Sequence, residues 1–373
     1  MTKRSASELS NISKRYKKLD QITHCHERPD MYVGNTRPER LEWYMPDLKS
    51  FQFKPEVFHF SPALGKIADE VLVNSFDNIH RKNSGTRNIK ISYNTETGEV
   101  TVWNDGATVP VVEHEEHKIP IPTMVFGHTL TGENYDDKVK RLGGGRNGWG
   151  AKLTNIFSSK FSIRCNDTRN GQILEQTWTD NMGKTNGPVL KKTHLKTDFT
   201  EVTFVPDWKR FKMDKMNRAF SKYITKRALE MAACSPKEVK VYLNGSVLPI
   251  NSLEGYTKLY TSLPVTTIQV NKRWEVAVFA TDGEDCIQMP SFVNGICTSR
   301  GGKHVEHAMT PVYRYLADIA TKKVKGINVR PRDVSTFTSV IVSSLIVNPS
   351  FDSQTKERLI TPKSKFGSKP VMN

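Results

Sequence analysis

A glycine-rich loop, LGGGRNGWGAKL at 142–153, constrains the fold most strongly, because two common nucleotide-binding folds can be tested against it. Three of its glycines satisfy the G-x-G-x-x-G spacing of a Rossmann fold, which requires a buried strand immediately before them. The preceding segment, NYDDKVKR at 134–141, is too charged for such a strand. A Walker A loop also fails, because Ala151 separates Gly150 from Lys152 and no Ser or Thr follows the lysine.

The same loop still suits an anion. Glycines let backbone N–H groups approach a phosphate closely, and Arg146 and Lys152 supply positive charge. The apolar residues Leu153, Ile156 and Phe157 predict a helix that begins in the loop and directs its N-terminus at the anion. A plain flexible turn is an equally good interpretation of the loop taken alone.

A helix predicted from residue 62 is the second constraint. Ser61 is placed to cap it and Pro62 suits its first position. On this helix Glu70, Asn74 and Asp77 fall within about 60° of one another. Burying such groups is costly unless they meet a ligand, a metal or water, so this face predicts a functional site, with an ordinary solvated face as the alternative. The apolar positions that recur at helical spacing are Ala63, Leu64, Ile67, Ala68, Val71, Leu72 and Phe76.

Composition narrows the class of protein. With 373 residues, 37% hydrophobic and 25% charged, the chain can fill a core, and its length suggests about two domains. The most apolar stretch, 334–347, is shorter than the ~20 residues of a membrane helix, so no membrane association is predicted. Five cysteines without a C-x-x-C pair favour neither a disulfide framework nor a zinc ribbon.

The charge balance points to a polyanion. The chain has 55 Lys+Arg against 39 Asp+Glu, a net charge of +16, and such an excess attracts nucleic acid through counterion release. A solvated basic surface with no specific partner is the alternative.

Strand-like and helix-like patterns are mixed along the chain, which predicts two layers of α/β or α+β type, and we expect an α+β fold. We expect a basic arm at 1–20, a first domain at 21–248 and a smaller second domain at 249–373. Beyond the helix from residue 62, helices are expected at about 213–233 and 303–323, and strands at 88–93, 99–103, 160–165, 175–179, 201–205, 239–243, 265–281, 287–298 and 336–347.

Two other signals are weaker. The pairs His114/His117 and His304/His307 do not match the His-Glu-x-x-His zinc arrangement, so no metal site is predicted from them. The segment DSQTKE at 352–357 is typical of a polar turn.

Seven segments taken in order carry a resemblance to one family: RPDMYVG at 28–34, DEVLVNSFDN at 69–78, WNDG at 103–106, NYDD at 134–137, GGRNGWGAKL at 144–153, FVNGICTSRGGKHV at 292–305 and NPSFDSQTKE at 348–357. Together they resemble the N-terminal ATPase region of eukaryotic-type type IIA DNA topoisomerases over nearly the whole chain. That family belongs to the GHKL ATPases. The resemblance therefore implies a GHKL-type α/β sandwich that binds ATP without a P-loop, followed by a smaller α/β transducer domain.

The resemblance also implies ATP and Mg²⁺ as cofactors. Glu70 and Lys356 would be catalytic: Glu70 would activate water for attack on the γ-phosphate, which Lys356 and Gln354 would reach from the second domain. Asn74 would hold Mg²⁺ and Asn104 would contact adenine. The other nucleotide-binding positions that it implies are Asp77, Gly132, Glu133, Asn134, Gly145, Arg146, Asn147, Gly148, Trp149, Gly150, Ala151, Lys152 and Thr355.

Partners are implied in the same way. The chain would form a homodimer when ATP is bound, with the arm around Tyr32 exchanged between partners. A basic helix end would contact double-stranded DNA, and a nuclear location follows, with organellar or viral versions left open. The implied DNA contacts are Thr321, Lys322, Lys323 and Lys325, and the implied bisdioxopiperazine inhibitor site at the dimer interface lies around His24, Tyr32, Tyr135 and Gln354.

Three positions depart from the family pattern. Thr108 replaces the second glycine of the D/N-x-G-x-G motif, Gly-Glu-Asn at 132–134 stands where relatives carry Ser-Ser-Asn near the ribose, and Met31 stands where Thr is common.

Two rival functions are a different GHKL machine, such as a chaperone or mismatch-repair ATPase, and a DNA-holding clamp that does not hydrolyse ATP. The strings RPDMYVG and FDSQTKE disfavour the first, and Glu70 and Lys356 disfavour the second. Without segments for a TOPRIM module or a cleavage tyrosine, the chain is expected to hydrolyse ATP but not to relax DNA.

Overall fold

The computed structural model describes residues 14–133, 138–145, 148–281, 289–324 and 326–371. Within these ranges the chain forms two β-sheets with helices packed on them, together with a separate N-terminal hairpin. The mixed α/β arrangement agrees with the predicted class. In the part of the chain that is described, no helix has the length and apolar character needed to cross a membrane.

The N-terminal region begins with helix α1 (Gln21–Glu27) and an antiparallel hairpin of β1 (Glu39–Pro46) and β2 (Phe53–Phe60). The Asp20 side chain caps α1 by accepting a hydrogen bond from the Thr23 N–H at 2.9 Å. The sequence pattern predicts no helix or strand in this stretch.

The larger sheet has the order β11-β10-β3-β4-β9-β5-β6-β7, with β8 also paired to β6. Its pairings are antiparallel except for the parallel pair of β10 and β3. The strands are β3 (Asn88–Tyr93), β4 (Val100–Asp105), β5 (Ser158–Asp167), β6 (Gln172–Thr179), β7 (Lys184–Thr185), β8 (Val189–Lys192), β9 (Phe199–Pro206), β10 (Lys240–Leu243) and β11 (Ser246–Val247).

Helix α2 (Pro62–Ile79) is the central helix of this region. Ser61 Oγ accepts a hydrogen bond from the Leu64 N–H at 3.3 Å, and Pro62 occupies the first turn, as the capping pattern predicts. Its apolar positions are buried in the main core. The other helices here are α3 (Ile121–Gly127), α4 (Gly150–Ile156) and α5 (Arg218–Cys234), and α2 packs against α4 and α5.

The C-terminal part forms a sheet of order β12-β13-β16-β14-β15, in which β14 and β16 are parallel. Its helix α7 matches the predicted range. The elements are α6 (Leu253–Thr257), β12 (Thr266–Asn271), β13 (Trp274–Ala280), β14 (Ser291–Val293), β15 (Ile296–Thr298), α7 (Lys303–Lys323), α8 (Pro331–Thr336) and β16 (Thr338–Ser344).

Two hydrophobic clusters form the core. The larger one continues past residue 248, because Leu253, Tyr256, Phe292 and Ile341 belong to it. The smaller one surrounds Trp274 in the C-terminal part. The domain boundary near 248 stays a prediction.

Some element bounds differ from the prediction. The 265–281 run is a hairpin, and the 287–298 run contains a second one, because Asn294 and Gly295 both adopt positive φ between β14 and β15. The predicted basic helix starts late, since Asn217 caps α5. The C-terminal segment is anchored, with Phe366 fully buried in the smaller core.

Candidate functional site

A cavity of about 650 Å³ lies where α2, the glycine-rich loop and the segment 349–356 meet. It gathers the predicted nucleotide-binding positions that the structure describes, apart from Thr355. The predicted residues that line it are Glu70, Asn74, Asp77, Asn104, Gly132, Glu133, Gly145, Gly148, Trp149, Gly150, Ala151, Lys152, Gln354 and Lys356. Asn134, Arg146 and Asn147 lie outside the described residues.

Glu70 lies between two lysines in the wall of this cavity. Its Oε1 is 2.5 Å from Lys66 Nζ, one turn earlier on α2, and 3.7 Å from Lys356 Nζ. All three residues are buried. Lys356 also donates to the Gly144 carbonyl at 3.3 Å, so the C-terminal part reaches both α2 and the glycine-rich loop.

These charges decide the ionisation of Glu70. Burial would raise the pKa of its carboxyl, but Lys356 and Lys66 outweigh burial and lower the pKa to about 2. Glu70 is therefore a carboxylate at neutral pH. For Lys66, burial lowers the pKa although Glu70 opposes that change.

Asp77 lies two turns further along α2 and binds the glycine-rich loop. Its carboxylate accepts hydrogen bonds from the Gly144 N–H at 2.9 Å and the Gly145 N–H at 3.0 Å. Burial raises the pKa of Asp77 to about 6, although these two amides oppose the rise. Two backbone N–H groups of the loop thus already donate to the Asp77 carboxylate.

Glycines let this loop approach α2 closely. A Cβ added to Gly150 would lie 2.5 Å from Glu70 Oε2, and one added to Gly143 would lie 3.2 Å from Asp77 Oδ2. The loop backbone therefore approaches both carboxylates more closely than a side chain would allow. Helix α4 follows, as the apolar residues after the loop predict.

Lys152 is buried on α4 and hydrogen-bonds to a neighbouring loop. Its Nζ donates to the Thr131 carbonyl at 2.5 Å. Burial lowers the pKa of Lys152 to about 8. An anion in the cavity would stabilise the charged form of this lysine.

An ion pair lies at the edge of the cavity. Arg81 Nη2 contacts both carboxylate oxygens of Glu133, at 2.6 and 2.7 Å. The Arg81 side chain is 39% exposed and that of Glu133 is 65% exposed, so the pair is solvated and weak. Glu133 is the residue that replaces a family serine.

Part of the cavity lining is apolar. It includes Val71, Val102, Val109, Ile121 and Val125, which suits a planar aromatic base. Strand β4 ends two residues later than the predicted 99–103 run, because Asn104 and Asp105 belong to it. Asn104 is buried there, and its Nδ2 donates to the Asp105 carbonyl at 3.0 Å.

Thr108, at the position where the resemblance implies a glycine, does not adopt a positive φ. Its hydroxyl is 2.8 Å from the hydroxyl of Thr200 on β9, so the substitution adds a hydrogen bond behind the cavity. The loop therefore does not depend on a glycine at this position.

Two predicted residues lie beside the cavity rather than in its wall. Thr355 bonds to the Ser353 hydroxyl at 2.7 Å, and its methyl faces Gly34. Tyr32 OH is 2.8 Å from His24 Nδ1, and its ring lies 5.0 Å from Trp149 in the glycine-rich loop. The RPDMYVG segment thus contacts both the loop and the C-terminal part of its own chain. Tyr135 of the implied inhibitor site lies outside the described residues.

The predicted DNA contacts lie at the end of α7, in a separate place. Lys322 and Lys323 are exposed in its last turn, and Lys325 lies outside the described residues. Thr321 is half-buried, and its hydroxyl accepts a hydrogen bond from the Val329 N–H at 2.9 Å. This bond closes the loop after the helix, so Thr321 fixes the loop that follows the two lysines.

Sequence reasoning missed three contributors: Lys66, Arg81 and Thr131. The four-residue spacing of Lys66 and Glu70 on a helix was a signal that could have identified the first. The contacts of Arg81 and Thr131 join segments far apart in the chain, and no local pattern marks them.

Comparisons with known proteins agree with this geometry. A family model for DNA gyrase B matches residues 239–373. DNA topoisomerase 2 of Arabidopsis thaliana is 39% identical over 98% of the chain, and DNA topoisomerase 2-beta of Gallus gallus is 40% identical over 99%. The chain spans 25% and 23% of the lengths of these two relatives.

Solved structures match over the whole fold. The ATPase region of Saccharomyces cerevisiae topoisomerase II has a TM-score of 0.89 at 35% identity, covering 96% of this chain and 93% of that one. The ATPase and transducer domains of Balamuthia mandrillaris topoisomerase II give 0.91 at 36%, covering 96% and 92%. These matches confirm the predicted fold class. The chain belongs to the family of type II DNA topoisomerases and corresponds to their ATPase region.

Proposed function

We propose that this chain binds and hydrolyses ATP as the clamp of a type II DNA topoisomerase. The observation that carries the proposal is the contact of Lys356, from the C-terminal part, with both Glu70 and the Gly144 carbonyl inside the cavity. A site built in this way can sense a terminal phosphate and pass the signal to a second region of the chain.

ATP suits a cavity that has both apolar and charged lining residues. The adenine would lie against the apolar residues near Asn104, and the phosphates would lie along the glycine-rich loop. Lys152 lines the cavity there and supplies positive charge. Glu133 and Arg81, at the cavity edge, would lie near the ribose.

Glu70 would orient the attacking water and accept its proton. A carboxyl with a pKa of about 2 is a poor proton acceptor while two lysines stabilise its charge. A γ-phosphate would attract Lys356 away from Glu70. The loss of that cation would raise the pKa of the carboxyl, so the base would become effective only when the terminal phosphate is bound.

One oxygen ligand in the cavity, the side-chain amide oxygen of Asn74, suits Mg²⁺. The amide oxygen of Asn74 lies 4.0 Å from the position of a Cβ on Gly145, so it faces the phosphate-binding part of the loop. Oxygen ligands and a few protein contacts are typical of Mg²⁺ bound with nucleotide phosphates. Asn74 would hold the ion, which would neutralise charge on the phosphates when bound.

A substitution of Glu70 should affect ATP hydrolysis but not ATP binding. We expect Glu70→Gln to bind ATP with an affinity within about threefold of wild type and to lose turnover by about 10² to 10⁴, the range for a general base. The assay is phosphate release at saturating ATP beside nucleotide titration, with Glu96→Gln, at an exposed residue, as control. Wild-type turnover in Glu70→Gln would refute the assigned role.

The clamp function rests on two further surfaces. Binding of ATP would dimerise two copies, with the segment around Tyr32 exchanged between partners. Lys322, Lys323 and Lys325 would contact duplex DNA through its phosphates without reading its sequence.

The regions 21–248 and 249–373 would be the ATPase and transducer domains, and we expect a nuclear location.

An inhibitor site is part of this proposal. One of the matching yeast structures, 0.89 in TM-score and 35% identical, is the ATPase region bound to ICRF-187 (dexrazoxane). In this chain, the Tyr32 and His24 side chains and Gln354 would contribute to a similar site at the dimer interface. Met31 beside them is 62% exposed and is available to a partner or a ligand.

A further inference from the structure

A second contact, made by other residues than Lys356, joins the C-terminal part to the cavity wall. It is the two-residue turn Asn294–Gly295 between β14 and β15, in which both residues have positive φ. Asn294 is fully buried and exchanges two hydrogen bonds with the Ile346 backbone, at 2.7 and 2.9 Å. The turn is therefore firmly attached to its own sheet.

The turn packs against two parts of the cavity wall. A Cβ on Gly295 would collide with the ring of Phe76 on α2. A Cβ on Gly144, in the glycine-rich loop, would lie 2.5 Å from Ile296 Cδ1. The side-chain Nδ2 of Asn294 also donates to the Gly143 carbonyl at 3.4 Å. The turn and the glycine-rich loop can pack this closely because Gly295 and Gly144 have no side chains.

Arg227 of α5 holds the turn to α2. Its Nε is 2.6 Å from Asp69 Oδ1, and its Nη2 donates to the Gly295 carbonyl at 3.1 Å. Its Nη1 pairs with Glu230 on the same helix. Arg227 is 1% exposed, so three nitrogens of one buried guanidinium join three elements.

Asp69 precedes Glu70 in the chain, so this arginine acts on the helical turn that carries the proposed base. We infer that Arg227 is a positioning residue for hydrolysis, which ties that turn of α2 to the Asn294–Gly295 turn. This inference rests on the proposed function. Small displacements of a reacting group cost about 10²-fold in rate, so a looser α2 would slow turnover while the nucleotide still binds.

Two substitutions test the inference by kinetics. Lysine at 227 keeps the charge but cannot reach three acceptors, and Asp69→Asn removes the Asp69 charge at a partly exposed site. We expect kcat to fall at least about tenfold in Arg227→Lys and severalfold in Asp69→Asn. The ATP dissociation constant should stay within about threefold, with one nucleotide bound per chain. The binding stoichiometry separates a slower enzyme from a smaller active fraction.

Lys222→Met is the matched control. Lys222 lies on the same helix, is buried and pairs with Glu56, away from the Asn294–Gly295 turn. It should keep the wild-type kcat. Equal kcat in wild type and Arg227→Lys, or an equal loss in Lys222→Met, would overturn the inference.

Amide hydrogen exchange tests the same link without turnover. Peptides covering 69–76, 143–145 and 293–297 should exchange faster in Arg227→Lys and Asp69→Asn than in wild type, but not in Lys222→Met. Unchanged exchange would overturn the inference even if ATP hydrolysis behaved as proposed. If the wild-type chain proves not to hydrolyse ATP, faster exchange in these two variants would still support the link from α2 to the Asn294–Gly295 turn through Arg227. That result would refute only the proposed function.

Discussion

The buried lysines of the cavity and the exposed lysines at the end of α7 carry the same charge in opposite settings. Lys66, Lys152 and Lys356 are each at most 9% exposed, and each contacts a carboxylate or a carbonyl. Lys322 and Lys323 project into solvent from the last turn of α7. Low dielectric strengthens every interaction of the first set, whereas salt and water screen the second.

This contrast predicts how each set responds to change. A buried lysine acts in one geometry, so its removal should be costly and specific. An exposed lysine beside others contributes a modest share of a salt-dependent attraction. The charge of +16 that first suggested a polyanion therefore has two parts with different chemistry.

Among the lysines, the largest effect is expected for Lys356→Met. Loss of a donor that stabilises developing charge costs about 10² to 10³ in kcat. ATP affinity should change far less, since the adenine and the loop contacts remain. Phosphate release under saturating ATP measures the effect, and a kcat within twofold of wild type would remove Lys356 from the mechanism.

The pH dependence of ATP binding should come next in size. Lys152 has a pKa of about 8 and favours phosphate only when charged. As pH rises through 8 the free chain loses this proton, so the ATP dissociation constant should increase by up to about tenfold per pH unit. Titrations from pH 7 to 9.5 measure this increase. Lys152→Met should bind weakly without it, and a pH-independent wild type would contradict the assignment.

A smaller effect is expected for the exposed set. The double variant Lys322→Ala, Lys323→Ala should bind duplex DNA severalfold more weakly. The slope of log affinity against log salt should fall by about 1.8, or ~0.9 for each phosphate that the variant no longer neutralises. ATP hydrolysis without DNA should be unchanged. Lys49→Ala, an exposed lysine elsewhere, is the control, and an unaltered salt slope in the double variant would exclude DNA binding by these two lysines.

The smallest effect is expected for Glu133→Gln. The Arg81–Glu133 pair is largely solvated, and such pairs contribute about 0.2–1 kcal/mol. The ATP dissociation constant should therefore shift by less than about fivefold. A loss of more than about fiftyfold would show that Glu133 belongs with the buried groups of the cavity.

The sequence predicts the local elements better than the contacts between them. Ser61, Pro62 and the apolar periodicity define α2, and Glu70, Asn74 and Asp77 do line one cavity. These features depend on neighbours within a few turns. The β1–β2 hairpin was missed because its strands are mostly half-exposed and show no clean alternation.

Contacts between distant segments leave no local pattern. Lys356 contacts Glu70 only because the polar turn at 352–357 folds back over α2. Arg227 contacts the Gly295 carbonyl, and that turn packs close to α2 and the glycine-rich loop because Gly295 and Gly144 have no side chains. The family resemblance placed Lys356 at the nucleotide, while nothing in the sequence singled out Arg227. Tertiary packing determines both contacts.

The most direct test of the ATP-operated clamp is the mass of the chain in solution with and without a non-hydrolysable ATP analogue, measured by multi-angle light scattering. The account predicts a monomer of about 42.3 kDa alone and a dimer of twice that mass at saturating analogue and Mg²⁺. A monomer at saturating analogue, with nucleotide demonstrably bound, would contradict it.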